Sequence, residues 1–141
     1  MIKREDIVGY RKNNNFKGVV LEQMLKFISD KADIKLVNSQ KRADKIAVDS
    51  SLDSESEEIA KTLIKGNISE PKKFLPVYKN MIKPLYLFLD EEILLYAKLR
   101  NLRFVKKKNN ESKIEDFMNN FEKKHPEVKR AVVNSLLELY K

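Results

Sequence analysis

The residues best placed for chemistry are two acids, Asp53 and Glu55, in the stretch Lys45-Ile46-Ala47-Val48-Asp49-Ser50-Ser51-Leu52-Asp53-Ser54-Glu55. A short apolar strand enters a polar turn there, and a helix with an acidic first turn follows. Strand-to-helix junctions of this kind are where α/β proteins place ligands. Carboxylates at such a junction can serve as general bases or magnesium ligands, whereas the serines at 50, 51 and 54 donate hydrogen bonds but do either job poorly. The same residues also suit a structural role: Asp53 or Ser54 can cap the helix, with Glu55, Glu57 and Glu58 matching the positive end of its dipole.

Other reactive side chains are few. His125 is the only histidine and the chain has no cysteine, which leaves no paired-histidine metal site, no thiolate site and no cysteine nucleophile. His125 stands directly before Pro126 and reads as a structural cap at a helix start. Positive charge gathers in the C-terminal third, where Lys106, Lys107 and Lys108 are flanked by Arg100, Arg103, Lys113, Lys123, Lys124, Lys129 and Arg130. Lysine is a mobile point charge that can meet phosphate without fixed geometry. Tyr86, Phe88, Tyr96, Phe104, Phe117 and Phe121 fall at apolar positions of strands and helices and are expected in the core. Tyr10 and Phe16 are freer to stack or dock.

Three segments together resemble a known family: the stretch 45–55 above, Lys83-Pro84-Leu85-Tyr86-Leu87-Phe88-Leu89-Asp90-Glu91-Glu92-Ile93-Leu94-Leu95-Tyr96-Ala97, and Phe121-Glu122-Lys123-Lys124-His125-Pro126-Glu127-Val128-Lys129. They are similar to the C-terminal half of the PP-loop ATPases that thiolate tRNA. Those proteins carry an A-T-G-H-N-x-D-D-E turn, a K/R-P-L…E-x-E-(aliphatic)-x-x-Y-A unit and a closing E-x-x-H-P-G-x-K segment. The resemblance covers roughly 42–140 and implies an adenylation site at the turn, with Asp53 and Glu55 as the residues carried over. Ala47, Leu52, Asp53 and Glu55 agree with the pattern; Asp49 stands where glycine is expected, Ser50 for histidine, Ser51 for asparagine and Ser54 for the second aspartate. The family's S-G-G-x-D-S nucleotide loop is absent upstream, where Gly9 and Gly18 have no phosphate-cradling loop between them. The cysteines that relatives use for zinc, an iron–sulfur cluster or sulfur transfer are also missing. The resemblance therefore implies a shortened, degenerate relative.

The elements that must position these residues follow from hydrophobic spacing. Residues 1–16 carry few apolar groups, include Asn13-Asn14-Asn15 and read as an N-terminal arm, leaving 17–141 as one half-domain. A helix is expected over 17–31, short strands over 34–37 and 45–48, and a helix from Asp53 or Ser54 to Gly66 with a buried stripe of Ile59, Ala60, Leu63 and Ile64. A short helix around Phe74, a strand over 85–89 and a helix capped by Asp90 follow. That last helix has so little polar face that it belongs in the middle of the domain. Ser112 with Glu115 forms a capping box for the next helix, and Pro126 opens the last. Strands alternating with helices predict an α/β fold: a helix-rich single domain with a small parallel sheet of about three strands flanked by helices.

At 141 residues and 42% apolar content, one domain can bury a sizeable core. No apolar run reaches the length of a membrane span, so the expectation is a cytoplasmic protein without a membrane partner. A net charge of +8 points to a polyanion. The resulting expectation is a non-catalytic relative that binds tRNA or other RNA through Lys106, Lys107, Lys108, Lys123, Lys124, Lys129 and Arg130, with no cofactor. The alternative is an interaction subunit, paired with itself as a homodimer or with a PP-loop-containing chain through an open sheet edge. A third option keeps residual ATP-dependent tRNA modification, with ATP bound at the Asp53 turn.

Overall fold

The computed structural model describes residues 5–38, 41, 43–66, 71–105 and 113–140. In chain order the elements are β1 (Ile7–Tyr10), α1 (Phe16–Ala32), β2 (Lys35–Val37), β3 (Lys45–Ala47), α2 (Leu52–Lys65), a 3-10 turn (Pro71–Phe74), β4 (Val77–Tyr78), β5 (Met81–Ile82), α3 (Asp90–Leu99), α4 (Lys113–Lys124) and α5 (Val128–Glu138). The strands form one sheet in the order β2-β1-β3-β5-β4, parallel except for the antiparallel β4–β5 pair. The α/β class holds, with a sheet of five strands where about three were expected.

The chain runs from β1 through α1 outward to β2, then returns to the other side of β1 for β3 and continues through α2 to β5. Right-handed crossovers in these two directions put α1 and α2 on opposite faces of the sheet. The packing agrees: α1 packs against α3, and α2 against α4 and α5. One core gathers Val8, Leu21, Leu25, Ala47, Ile82 and Ile93; the other joins Leu52 and Ile59 of α2 to Phe74, Tyr86, Val133 and Leu136. Each fully buried leucine or valine contributes about 1.5–3 kcal/mol.

Several expectations are corrected by this arrangement. Residues 1–16 are not wholly an arm, because Ile7–Tyr10 supplies the strand β1, hydrogen-bonded to β2 and β3 on its two sides with Val8 fully buried. Four residues flanked by charge carry little periodic signal; their two partner strands make them a strand. Tyr10 is buried and Phe16 meets Phe104 edge to face at 6.3 Å, so neither is free. The segment 85–89 is no strand. Pro84 lacks an N–H, and successive turns form in which Tyr86 N donates to Lys83 O and Phe88 N to Leu85 O, each at 3.1 Å. The strand of this region is Met81–Ile82 instead.

α2 is capped not by Asp53 or Ser54 but by Ser51, whose Oγ accepts from Ser54 N. Its buried stripe is Leu52, Ser56 and Ile59, at i, i+4 and i+7, whereas Leu63 and Ile64 are exposed. Gly66 ends the helix as expected, in the left-handed conformation that a side chain resists. α3 is not central: only Ile93 and Ala97 are buried, and Leu95 and Leu99 face outward, since the helix packs on α1 with one side alone. Phe88, Tyr96, Phe117 and Phe121 are exposed rather than in the core. Ser112 of the expected capping box lies outside the described residues.

Register decides where the loops emerge. Tyr10 pairs with Ala47 and Ala47 with Ile82, so β1, β3 and β5 end side by side. The loops that follow lead into the N-termini of α1, α2 and α3. Leu52 N donates to Phe88 O at 2.9 Å, tying the start of α2 to the loop after β5, and Val105 N donates to Asn14 O at 2.8 Å, tying the segment after α3 to the loop after β1.

Candidate functional site

Between β1 and β3 the strand order reverses direction, and a crevice opens at the carboxyl ends of such strands in doubly wound sheets. A cleft of about 1160 Å³ lies there, bounded by the loops after β1 and β3, the starts of α1, α2 and α3, and one side of α4. The loop 11–15 follows the first strand at this end of the sheet and carries three asparagines and no glycine. Asn15 Oδ1 accepts from Gly18 N at 2.8 Å and caps α1. Asn13 folds back onto the first turn of the helix, so closely that a Cβ on Gly18 would stand 2.6 Å from the Asn13 Cβ.

Side chains of the cleft floor are already partnered with one another. The Lys17 ammonium pairs with Asp90 at 3.0 Å and donates to Ser54 Oγ at 2.8 Å. Ser51 Oγ donates to the same Asp90 carboxylate. Asp53 Oδ2 accepts from the Asp90 amide at 2.6 Å, and Asp53 Oδ1 holds the Lys129 ammonium. Lys129 reaches in from α5 and also touches Asn119 at 3.0 Å and Glu122 at 3.2 Å on α4. Burial opposes the Lys129 charge, but hydrogen bonds and charge from Asp53 and Glu122 outweigh it and raise its pKa above the ordinary value. Seven carboxylates line the cleft against four lysines, so its field is negative.

Asp53 and Glu55, adjacent in the expected site, part company. Residues two apart on a helix do not share a face. Asp53 stands in the cleft wall, while Glu55 is buried in an ion pair with Lys83 at 2.8 Å and accepts from Ser50 Oγ at 2.6 Å. Lys83 also donates to Lys73 O at 2.7 Å, satisfying a buried ammonium that would otherwise be costly. His125 lies outside the cleft, exposed and tilted against Phe121 at 4.9 Å.

Of the lysines and arginine expected to meet RNA, Lys123 and Lys124 are exposed at the end of α4. Arg130 is half-exposed and engaged with Glu92 Oε1 at 2.9 Å and Leu87 O at 3.3 Å. Lys129 is buried, its ammonium held by acids. Lys106, Lys107 and Lys108 lie outside the described residues. Lys17 has no motif around it to single it out, and Asp90, expected to cap α3, is instead its first helical residue: Leu89 takes the cap position and the Asp90 carboxylate serves the cleft.

No family model and no curated protein matches this chain. A solved structure does: the U34-tRNA thiolase NcsA from Methanococcus maripaludis, with its [4Fe-4S] cluster, aligns with a TM-score of 0.72 over 97% of this chain and 72% of that one, at 18% identity. The two proteins share a fold. The shared fold agrees with the resemblance that the motifs carry, and the alignment runs beyond 42–140 to include β1 and α1. A [4Fe-4S] cluster does not fit the donors of this chain, which has no cysteine and whose one histidine sits away from the cleft.

Proposed function

We propose that this protein binds RNA, with tRNA the first class to test, and that its cleft serves as a scaffold rather than as a nucleotide-hydrolysing centre. One observation carries the reading: positive charge is displayed outside, in a chain of net charge +8, while the cleft that would receive a nucleotide is acidic. Polyphosphate entering the cleft would meet excess carboxylate, a loop without glycines, and four ammonium groups of which Lys17, Lys61 and Lys129 are already paired with acids. Lys123 and Lys124 offer phosphate contacts, joined by Arg130 and by Lys106, Lys107 and Lys108. Lys129 stays with Asp53 and Glu122. The fold shared with a tRNA thiolase supports the choice of RNA over other polyanions.

The test is fluorescence anisotropy of labelled tRNA between ~50 and ~200 mM salt, where phosphate contacts appear as the slope of log affinity against log salt. Replacing Lys123 and Lys124 together by Glu should weaken binding uniformly across RNA sequences and lower the slope by about two. Unchanged affinity and slope in this variant, and in one with Lys106, Lys107 and Lys108 replaced by Glu, would remove the assignment.

A second reading, an interaction subunit, is favoured by the outer side of α3, where Leu95, Tyr96 and Leu99 are exposed together. A monomer by light scattering, with no nucleotide-binding chain co-purifying, counts against it.

A further inference from the structure

The outer face of α4 is aromatic, and among the described residues neither the cleft nor either core uses it. At 100° per residue, Lys113, Phe117, Asn120, Phe121 and Lys124 fall within one arc of about 100°, and all five are exposed. The rings form a ladder: Phe117 and Phe121 stack with centroids 6.0 Å apart, 25° from parallel, and His125 continues the series 4.9 Å beyond. Phe117 is 59% exposed and Phe121 41%. Met118, on the other side, is buried, and the acids Glu115 and Glu122 line the cleft. Asp116 stands at the margin of the arc. The helix is therefore split into an acidic inner side and an outer side of rings between lysines.

We infer that this face is a stacking platform for unpaired RNA bases, with Lys113 and Lys124 on the arc, and Lys123 flanking it beside Asp116, to meet the phosphates. Every base has a π-face, so a row of exposed rings beside cations binds single strands with little sequence preference. Charge selects this occupant over a second copy of the chain. Two such faces brought together would oppose the lysines of one to those of the other, with Asp116 at the margin and Glu127, which pairs with His125 at 3.8 Å, the acids beside them. A nucleic-acid strand brings the missing negative charge and the flat apolar surface at once. The inference rests on the RNA-binding reading above and narrows it to unpaired nucleotides.

The experiment compares a labelled oligoadenylate of about ten nucleotides with a duplex RNA carrying the same number of phosphates. Wild type should bind both. Phe117→Ala with Phe121→Ala should weaken the single strand about tenfold or more and leave the duplex unchanged. Phe121→Trp should keep single-strand affinity, and because the chain has no other tryptophan its fluorescence should be quenched by stacking when oligoadenylate is added. Equal loss on both RNAs, no loss on either, or a tryptophan that oligoadenylate leaves unquenched would overturn the platform while the RNA-binding reading stands. A wild-type dimer that the double substitution converts to monomer, with RNA affinity unchanged, would assign the face to self-association. No binding of either RNA by wild type would overturn platform and reading together.

Discussion

Both oxygens of Asp53 are in use, one on the Lys129 ammonium and the other on the Asp90 amide. A residue that the sequence offered as a catalytic candidate thus joins α2, α3 and α5. Removing it leaves a buried lysine with Glu122 and Asn119 alone, and an ammonium short of partners in the interior is costly. Asp53→Ala should lower stability by about 2 kcal/mol, read from the urea midpoint; a midpoint equal to wild type would return Asp53 to the list of free site residues. Tyr86 gives the pH-dependent counterpart. Burial, with the Glu55 charge adding to it, pushes the Tyr86 hydroxyl from 10.0 up to about 12, and it donates to Phe74 O at 2.7 Å. An unfolded tyrosine loses its proton near pH 10 and the folded one near 12, so in that window the unfolded chain binds fewer protons and stability falls as pH rises. The contribution is fully present below pH 10. Tyr86→Phe should cost about 1 kcal/mol at neutral pH through the lost hydrogen bond and should reduce the alkaline decline. Urea midpoints of the two proteins that fall in parallel from ~pH 9 to ~pH 11.5 would disprove this linkage.

At the scale of elements, spacing in the sequence locates what is periodic and long. The helix expected over 17–31 is Phe16–Ala32, and the strands expected over 34–37 and 45–48 are Lys35–Val37 and Lys45–Ala47. Elements of two to four residues have no period to read: β1 falls in the stretch that reads as an arm, β4 and β5 carry no signal of their own, and the apolar run 85–89 folds as turns. Caps fail for a related reason. Ser51, Asp53 and Ser54 all have capping side chains, and the backbone at Ser51 (φ −99°, ψ 174°) selects the first. The loop 11–15 depends on Gly18, where the absence of a Cβ lets Asn13 seat on α1. Gly18→Ala forces loop and helix apart and should destabilise by about 1–3 kcal/mol. Equal thermal midpoints for this variant and wild type would mean that the loop is not seated there.

Across the whole molecule, folding sorts charge that the sequence only totals. A net charge of +8 predicts a steep salt dependence for any polyanion complex, as the titration under the proposed function measures. It does not reveal that the cleft carries the opposite sign. Nor does it distinguish Lys124, open to solvent, from Lys129, five residues on and buried between acids. By itself the sequence determined the α/β class, the longer helices and strands, the excess of positive charge and the want of cysteine, because periodicity and composition are local or additive. Only the tertiary structure decided which acids face the cleft, which lysines remain free and which rings stay uncovered. Those outcomes depend on partners far apart in the chain, such as Ser51 with Asp90 across 39 residues and Asp53 with Lys129 across 76, which meet only when the helices close over the sheet.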